Sequence, residues 1–410
     1  MKKNSEPQFT VLSAPEEIDQ GNVVRRRLLL LGANDASYSV GALGTTHHIA
    51  QLAREMSLRG YEVHIALGWN AKNANAGCFA ADPPPKFSSS PNTYVAKYDL
   101  CQHNPTRIGQ ASKALQRYMS SYGQFDVIHA IGFWGGRVGL QAKKGTQAQL
   151  LFSPLELDPL AYRGNPLARM SYKYKLRQIC AGADMVQCAS QHHMVILQDC
   201  KVDTDKLRLV PNGLAPPRPI DTFTARNKLQ LKESEIWFGY CGRLDEHSGV
   251  RQLLTAFAEL VHQYDKIGLL IVGSGPAEEA LRAQATQLEL GDRIRWQPSK
   301  LSETAIAAID VYVQPGGTEA FPYNVMRATS RGLPVITVDR GGAAELIERS
   351  AAICVPPGDA TQLVQAIALL AAPNGERQSR VPNALAVAKK FSLERSIRAF
   401  EGAYTELISA

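Results

Sequence analysis

Glu319 stands in "GGTEAFPYNVMRATSRG", after the apolar run "DVYVQP" and just ahead of a helix-compatible segment that carries Arg327 eight residues later. A carboxylate beside the open N–H groups of a helix start can accept hydrogen bonds from sugar hydroxyls while the amides hold a diphosphate. The amides in question are those of Phe321, Tyr323 and Asn324, and Pro322 suits a first helical turn. The same placement lets Glu319 cap its own helix. The segment by itself leaves both readings open.

Other turns carry related chemistry. In "CGRLDEHSGV", Arg243 follows the strand-end Gly242, where a guanidinium either forks onto a phosphate or makes a surface ion pair. In "NDASYSVGALGTTHHIA", Gly41 and Gly44 precede a helix expected to start at Thr45, so backbone amides could approach an anion closely. The dinucleotide spacing GxGxxG is absent. "VGSGP" at residues 272–276 reads as a structural turn. "DTD" at residues 203–205 looks like a metal-binding carboxylate pair, but it sits in a polar loop where solvation is the simpler account. The doublets His47–His48 and His192–His193 lack the i, i+4 spacing of a helical zinc pair. Neither a metal nor a cofactor is expected.

Such turns need strands and helices to hold them. Strand-like runs alternate with amphipathic helix-length segments throughout, the pattern of α/β folds with parallel sheets. At 410 residues the chain suits two domains of roughly 200 residues. "APPRP" at residues 215–219 is the expected break. The division is then a mobile tail (1–24), a first domain (25–215), a second domain (216–390) and a closing helix (391–410) that packs back towards the first domain. Ligands of open α/β sheets bind outside the carboxyl ends of the strands, so function is sought in the turns after strands.

Composition narrows the classes. The longest apolar run, "LLLLGA", is far short of the roughly 20 residues that cross a membrane, and residues 1–24 lack a secretory apolar core. Seven scattered cysteines without a CxxC pair favour buried thiols in a reducing cytoplasm. Residues 1–215 hold 24 Lys/Arg against 16 Asp/Glu, whereas the remainder holds 21 against 22. The basic first half suggests an anionic partner or membrane surface, with scattered solvated charge as the alternative. Within it, "YRGNPLARMSYKYKLRQI" at residues 162–179 interleaves cations with apolar residues and could rest on an anionic membrane. No nucleic-acid motif accompanies the charge, so nucleic acid is not expected.

Taken in order, these turns resemble the GT-B glycosyltransferases, especially the large retaining family 4, over residues 27–408. The likeness is carried by "GTTHHIAQLAREMSLRGYEV", "FDVIHAIGFWGG", "LRLVPNGL", "GRLDEHSGVRQLLTAFAEL", "IVGSGP" and "DVYVQPGGTEAFPYNVMRATSRGLPVITVDRGGAAELI". It implies two Rossmann-like doubly wound domains facing across a cleft and sugar transfer from a nucleotide diphosphate to a glycan or lipid-linked acceptor. It also implies retained anomeric configuration. The cytoplasmic location expected from the cysteines then becomes peripheral at the inner membrane face if residues 162–179 rest on lipid, with a solvated helix face as the alternative. Glu319 and Arg243 take the catalytic positions. Gly44, His48, Asn212, Gly242, Ser248, Phe321, Pro322, Tyr323, Asn324 and Arg327 take donor-binding ones.

Three positions depart from the family pattern. Ile131 replaces a histidine near the transferred sugar, Ser248 replaces a lysine on the diphosphate, and Arg327 replaces a second glutamate that accepts from the ribose. Two lost charged hydrogen bonds, at about 1.5–3 kcal/mol each, would weaken donor binding by a factor on the order of 100 to 10,000. The expectation is that Arg327 restores the cation missing at Ser248. A catalytically silent scaffold that binds a partner is the alternative function.

Overall fold

The computed structural model describes residues 10–13, 26–33, 42–69, 93–99, 105–154, 165–316 and 321–409. Glu319, Gly41, Cys78 and Cys101 lie outside them. The chain divides into two compact units, Met1–Pro211 with Ser396–Ala410, and Asn212–Arg395.

The first unit runs β1 (Thr10–Ser13), β2 (Arg27–Ala33), α1 (Ala42–Leu58), β3 (Glu62–Trp69), β4 (Thr93–Asp99), α2 (Pro105–Tyr122), β5 (Val127–Ile131), α3 (Gly132–Ala142), β6 (Gln149–Ser153), α4 (Pro166–Gly182), β7 (Met185–Cys188), α5 (Gln191–Asp199) and β8 (Leu207–Leu209). Its sheet has the order β1-β4-β3-β2-β5-β6-β7-β8. All described pairings are parallel except β1 on β4. The stretch read as a mobile tail therefore contributes an antiparallel edge strand, at Thr10–Ser13. Leu28, Leu29, Leu30 and Leu31 are all buried, as a strand covered by helices on both faces requires.

The second unit runs α6 (Thr222–Leu229), β9 (Ile236–Cys241), α7 (Val250–Val261), β10 (Ile267–Val272), α8 (Glu278–Gln287), β11 (Ile294–Gln297), α9 (Ser302–Ala308), β12 (Val311–Gln314), α10 (Tyr323–Ser330), β13 (Val335–Val338), α11 (Gly341–Leu346), β14 (Ala352–Val355), α12 (Ala360–Ala371) and α13 (Glu376–Lys390). Its six strands are all parallel, in the order β11-β10-β9-β12-β13-β14. Helix α7 buries Val250, Leu253, Leu254, Phe257, Leu260 and Val261, the i, i+3, i+4 stripe of an amphipathic helix. Each such side chain contributes about 1.5–3 kcal/mol of apolar burial.

Helix α14 (Leu393–Ser409) closes the chain, and from Ser396 onward it belongs to the first unit. There Ile397, Phe400, Tyr404 and Leu407 are buried. The Tyr404 hydroxyl lies 2.7 Å from His129 Nδ1, and His129 Nε2 lies 2.7 Å from Ser153 Oγ. No described helix is long and apolar enough to cross a membrane.

Three histidines of the first unit are buried in environments that disfavour the imidazolium. Burial pushes His129 well below its ordinary 6.5, with His48 adding repulsion. Burial takes His193 down to about 3, helped by His192, and lowers His64 despite the opposing Glu62 carboxylate. A depressed histidine binds its proton more readily in the unfolded chain. Its stabilisation is thus complete above about pH 6.5 and is lost as pH falls below that value. Denaturant unfolding followed at pH 7.5 and pH 5.5 should give a lower midpoint at pH 5.5, before carboxylates titrate. Equal midpoints would contradict the neutral assignment.

Candidate functional site

The strand order of the second unit reverses between β9 and β12, the position where open α/β sheets bind ligands. Pairing of β9 with β10 runs to Cys241↔Val272, but pairing with β12 is last seen at Gly239↔Tyr312. Beyond that register β9 and β12 part. The Cys241 carbonyl is satisfied by side chains instead, at 2.9 Å from Tyr312 Oη and accepting from Asn324 Nδ2 at 2.9 Å. The Tyr312 hydroxyl also lies 2.9 Å from Gln314 Oε1, whose amide donates to the Gly316 carbonyl at 3.0 Å.

The turn after β9 is packed backbone against backbone. Gly242 N–H donates to the Val272 carbonyl at 2.9 Å, and a Cβ at Gly242 would come within 2.4 Å of the Tyr240 hydroxyl. A Cβ at Gly273 would come within 1.9 Å of the Gly242 carbonyl oxygen, so "VGSGP" is structural, as read from sequence. Arg243 Nη2 pairs with Asp245 Oδ2 at 2.5 Å. Asp245 Oδ1 accepts from His247 N–H at 2.9 Å. Ser248, at the position of the missing lysine, turns into its own loop, with Oγ donating to the Asp245 carbonyl at 2.7 Å.

Arg327 departs from expectation. Its Nη2 pairs with Glu303 Oε1 and its Nη1 donates to Asn324 Oδ1 at 3.1 Å. The guanidinium is matched by a carboxylate from the first turn of α9, so it is not a spare cation replacing the one missing at Ser248. Both charges are felt at Cys241, whose thiol is pushed up to about 12, mainly by burial, then lowered by Arg327 and raised by Glu303.

At the start of α10, Pro322 occupies the cap position rather than the first turn. The Tyr323 N–H, expected to line the site, donates to the Phe321 carbonyl at 3.0 Å and is thereby used. Phe321 is buried with its ring 4.8 Å from that of Tyr323. Burial raises the Tyr323 phenol well above its usual range, against the neighbouring side chain of Asn212, which is itself buried.

In the first unit, α1 begins at Ala42 rather than Thr45, so Gly44 lies inside its first turn. His48 is buried with its ring 5.5 Å from that of Phe400. Ile131 is buried at the end of β5. Asp203 of "DTD" caps a short 3-10 turn, accepting from Asp205 N–H at 3.1 Å. Among the described residues no three His, Cys, Asp or Glu side chains form a metal-holding group.

The structure thus gathers Gly242, Arg243, Ser248, Asn324 and Arg327 at the ends of β9 and β12. It adds Asp245, Glu303, Tyr312 and Gln314, which sequence reading did not select. Asp245, two residues from Arg243, was readable as a partner. Glu303, 24 residues from Arg327, carried no comparable signal.

Residues 43–218 match the family model described as Glycosyltransferase Family 4, and residues 221–386 match that described as Glycosyl transferases group 1. The D-inositol 3-phosphate glycosyltransferase of Acidothermus cellulolyticus is 22% identical over 97% of this chain and 96% of its own. The alpha-monoglucosyldiacylglycerol synthase of Streptococcus pneumoniae is 28% identical over 55% of this chain, a stretch that spans about half (54%) of that relative. Among solved structures, sucrose-phosphate synthase of Thermosynechococcus elongatus superposes with a TM-score of 0.78 at 22% identity, over 94% of this chain and 100% of its own. Anabaena HepE in complex with UDP and glucose gives 0.75 at 17% identity, over 93% and 100%.

Gly249 tests how tightly these turns are built. It has φ +73°, and a Cβ there would lie 2.5 Å from the backbone carbon and oxygen of Pro315. Gly249→Ala should cost about 2–4 kcal/mol, from the left-handed backbone and the clash. Gly402→Ala, in open space on α14, should be neutral or stabilising. Denaturant unfolding measures both, and equal stability of the two variants would refute the packing described.

Proposed function

From the premise that this chain belongs to the GT-B glycosyltransferases of the family 4 type, we propose that it moves a sugar from a nucleoside diphosphate to a glycan or lipid-linked acceptor, with retention of anomeric configuration. The observation that carries the reading is the strand reversal at β9 and β12, with Arg243 on the turn that follows β9. A uridine nucleotide is the first donor to try, because the Anabaena neighbour was captured with UDP and glucose.

The proposed chemistry needs no protein nucleophile and no metal. The departing diphosphate takes the acceptor's proton on the face from which it leaves. Arg243 and helix-start amides stabilise the negative charge that develops on it, and Glu319 orients the sugar. Gly44, His48, Asn212 and the Phe321 and Asn324 amides are assigned to the donor.

For the acceptor, α4 supports a lipid surface. Leu167, Met170 and Tyr174 are 73%, 67% and 61% exposed, one helical stripe apart. Arg169, Lys173, Lys175 and Arg177 share the helix, which contains no acidic residue. Apolar anchors with cations beside them suit an anionic leaflet. The streptococcal relative's name, a glucosyldiacylglycerol synthase, points the same way. We accordingly assign a cytoplasmic position against the inner membrane face.

Two measurements follow. Among UDP-, ADP- and GDP-sugars, at least one should raise the melting temperature and be turned over. Glu319→Ala should abolish turnover, and Arg243→Ala should weaken donor binding about 10- to 100-fold. If no nucleotide protects the protein, the silent-scaffold alternative stands instead. Separately, phosphatidylglycerol vesicles should capture the protein in a salt-sensitive way, and a Met170→Ser, Tyr174→Ser double variant should lose most of that binding. Undiminished capture would remove α4 from the account.

A further inference from the structure

The site contains a carboxylate that neither family position nor motif marks. Glu303 opens α9, on the side of the second sheet where its strands end, and its side chain remains 38% exposed. One oxygen, Oε1, is held by Arg327. The other has no hydrogen-bond partner among the described residues. Asp245 on the neighbouring turn is differently placed, because Arg243 and the His247 amide occupy its two oxygens.

The hold on Glu303 is a chain of defined contacts. The Cys241 carbonyl, last of β9, anchors Asn324 Nδ2. Asn324 Oδ1 accepts from Arg327 Nη1, and Arg327 Nη2 reaches Glu303. A planar guanidinium forked in this way fixes direction as well as distance. The carboxylate is thus tethered to the carboxyl end of β9, the end at which open α/β sheets bind ligands.

We infer that Glu303, positioned by Arg327, accepts the hydrogen bonds of the nucleoside's ribose hydroxyls. The inference rests on the nucleotide-donor reading above and deepens it. A vicinal diol offers two O–H donors, and an ionised carboxylate is the side chain that only accepts. Arginine at position 327 cannot do this, because it only donates. The pair delivers the acceptor from α9 in place of α10. Because its net charge is zero, it does so without a repulsive charge beside the diphosphate. Arg327 is a positioning residue; Glu303 touches the ligand.

The test measures binding of UDP, ADP and GDP and of their 2′-deoxy counterparts by calorimetry. For the preferred base, wild type should bind the ribonucleotide about 10- to 100-fold more tightly than the deoxynucleotide. Glu303→Gln keeps the shape and should bring that ratio close to one, by weakening the ribonucleotide alone. Arg327→Met should lower the ratio part of the way, and Arg327→Lys should recover some of it. A purely structural pair would instead weaken both nucleotides equally. A full ratio retained in Glu303→Gln overturns this assignment and leaves the donor reading intact. If wild type binds no diphosphate at all, both fall.

Discussion

Where the connections that follow two adjacent parallel strands run off in opposite directions across the sheet, a gap opens at the strands' carboxyl ends, and the backbone bordering it needs partners that no strand supplies. In the second unit that requirement falls on the carbonyl of Cys241. Tyr312 and Asn324 meet it. Because Asn324 is committed there through its amide nitrogen, its oxygen faces Arg327, and Arg327 in turn holds Glu303. One unladdered carbonyl therefore sets the orientation of a charged pair contributed by two helices.

The same end of the sheet is built with little slack. Gly242, Gly249, Gly273 and Gly316 each sit where a Cβ would meet a neighbour closer than 3 Å, and for the last three that neighbour is backbone. Turns locked this way hold amides and side chains in place before a ligand arrives, which lowers the ordering cost of binding. Serine at position 248 belongs to this construction. Its hydroxyl closes the loop on Asp245 and its amide hydrogen-bonds the same carbonyl at 3.3 Å, so the side chain serves the turn.

Much of the fold was legible because parallel strands buried on both faces read as continuous apolar runs. "RLLLLGA", "IWFGYC" and "GLLIV" are such cases, and all form strands. Strands β6, β13 and β14 are only four or five residues long, and of these only "LPVITV" stood out, with Pro marking its start. Thr10–Ser13 was missed because an edge strand is specified by pairing with β4, which no local pattern reveals. At the site, local spacing exposed Arg243, Gly242 and Asn324. It could not expose Glu303, whose meaning lies in a contact across 24 residues between the first turn of α9 and the last turn of α10. Nor could it tell that the Tyr323 amide would be consumed by the Phe321 carbonyl.

The two arginines at the site are held by different partners. Arg243 is about a third exposed (34%) and its side chain pairs with a neighbour two residues away. Its partner Asp245 is more buried (14%) and is itself fixed by the His247 amide. Arg327 is more buried than Arg243, and it is bound both to a carboxylate and to an amide that is itself anchored on β9. Moving it would break a linked series of hydrogen bonds, which is costlier than breaking one. A cation that must aim a neighbour is best held in this way. The arginine at position 327 is in this sense a fixture of the site.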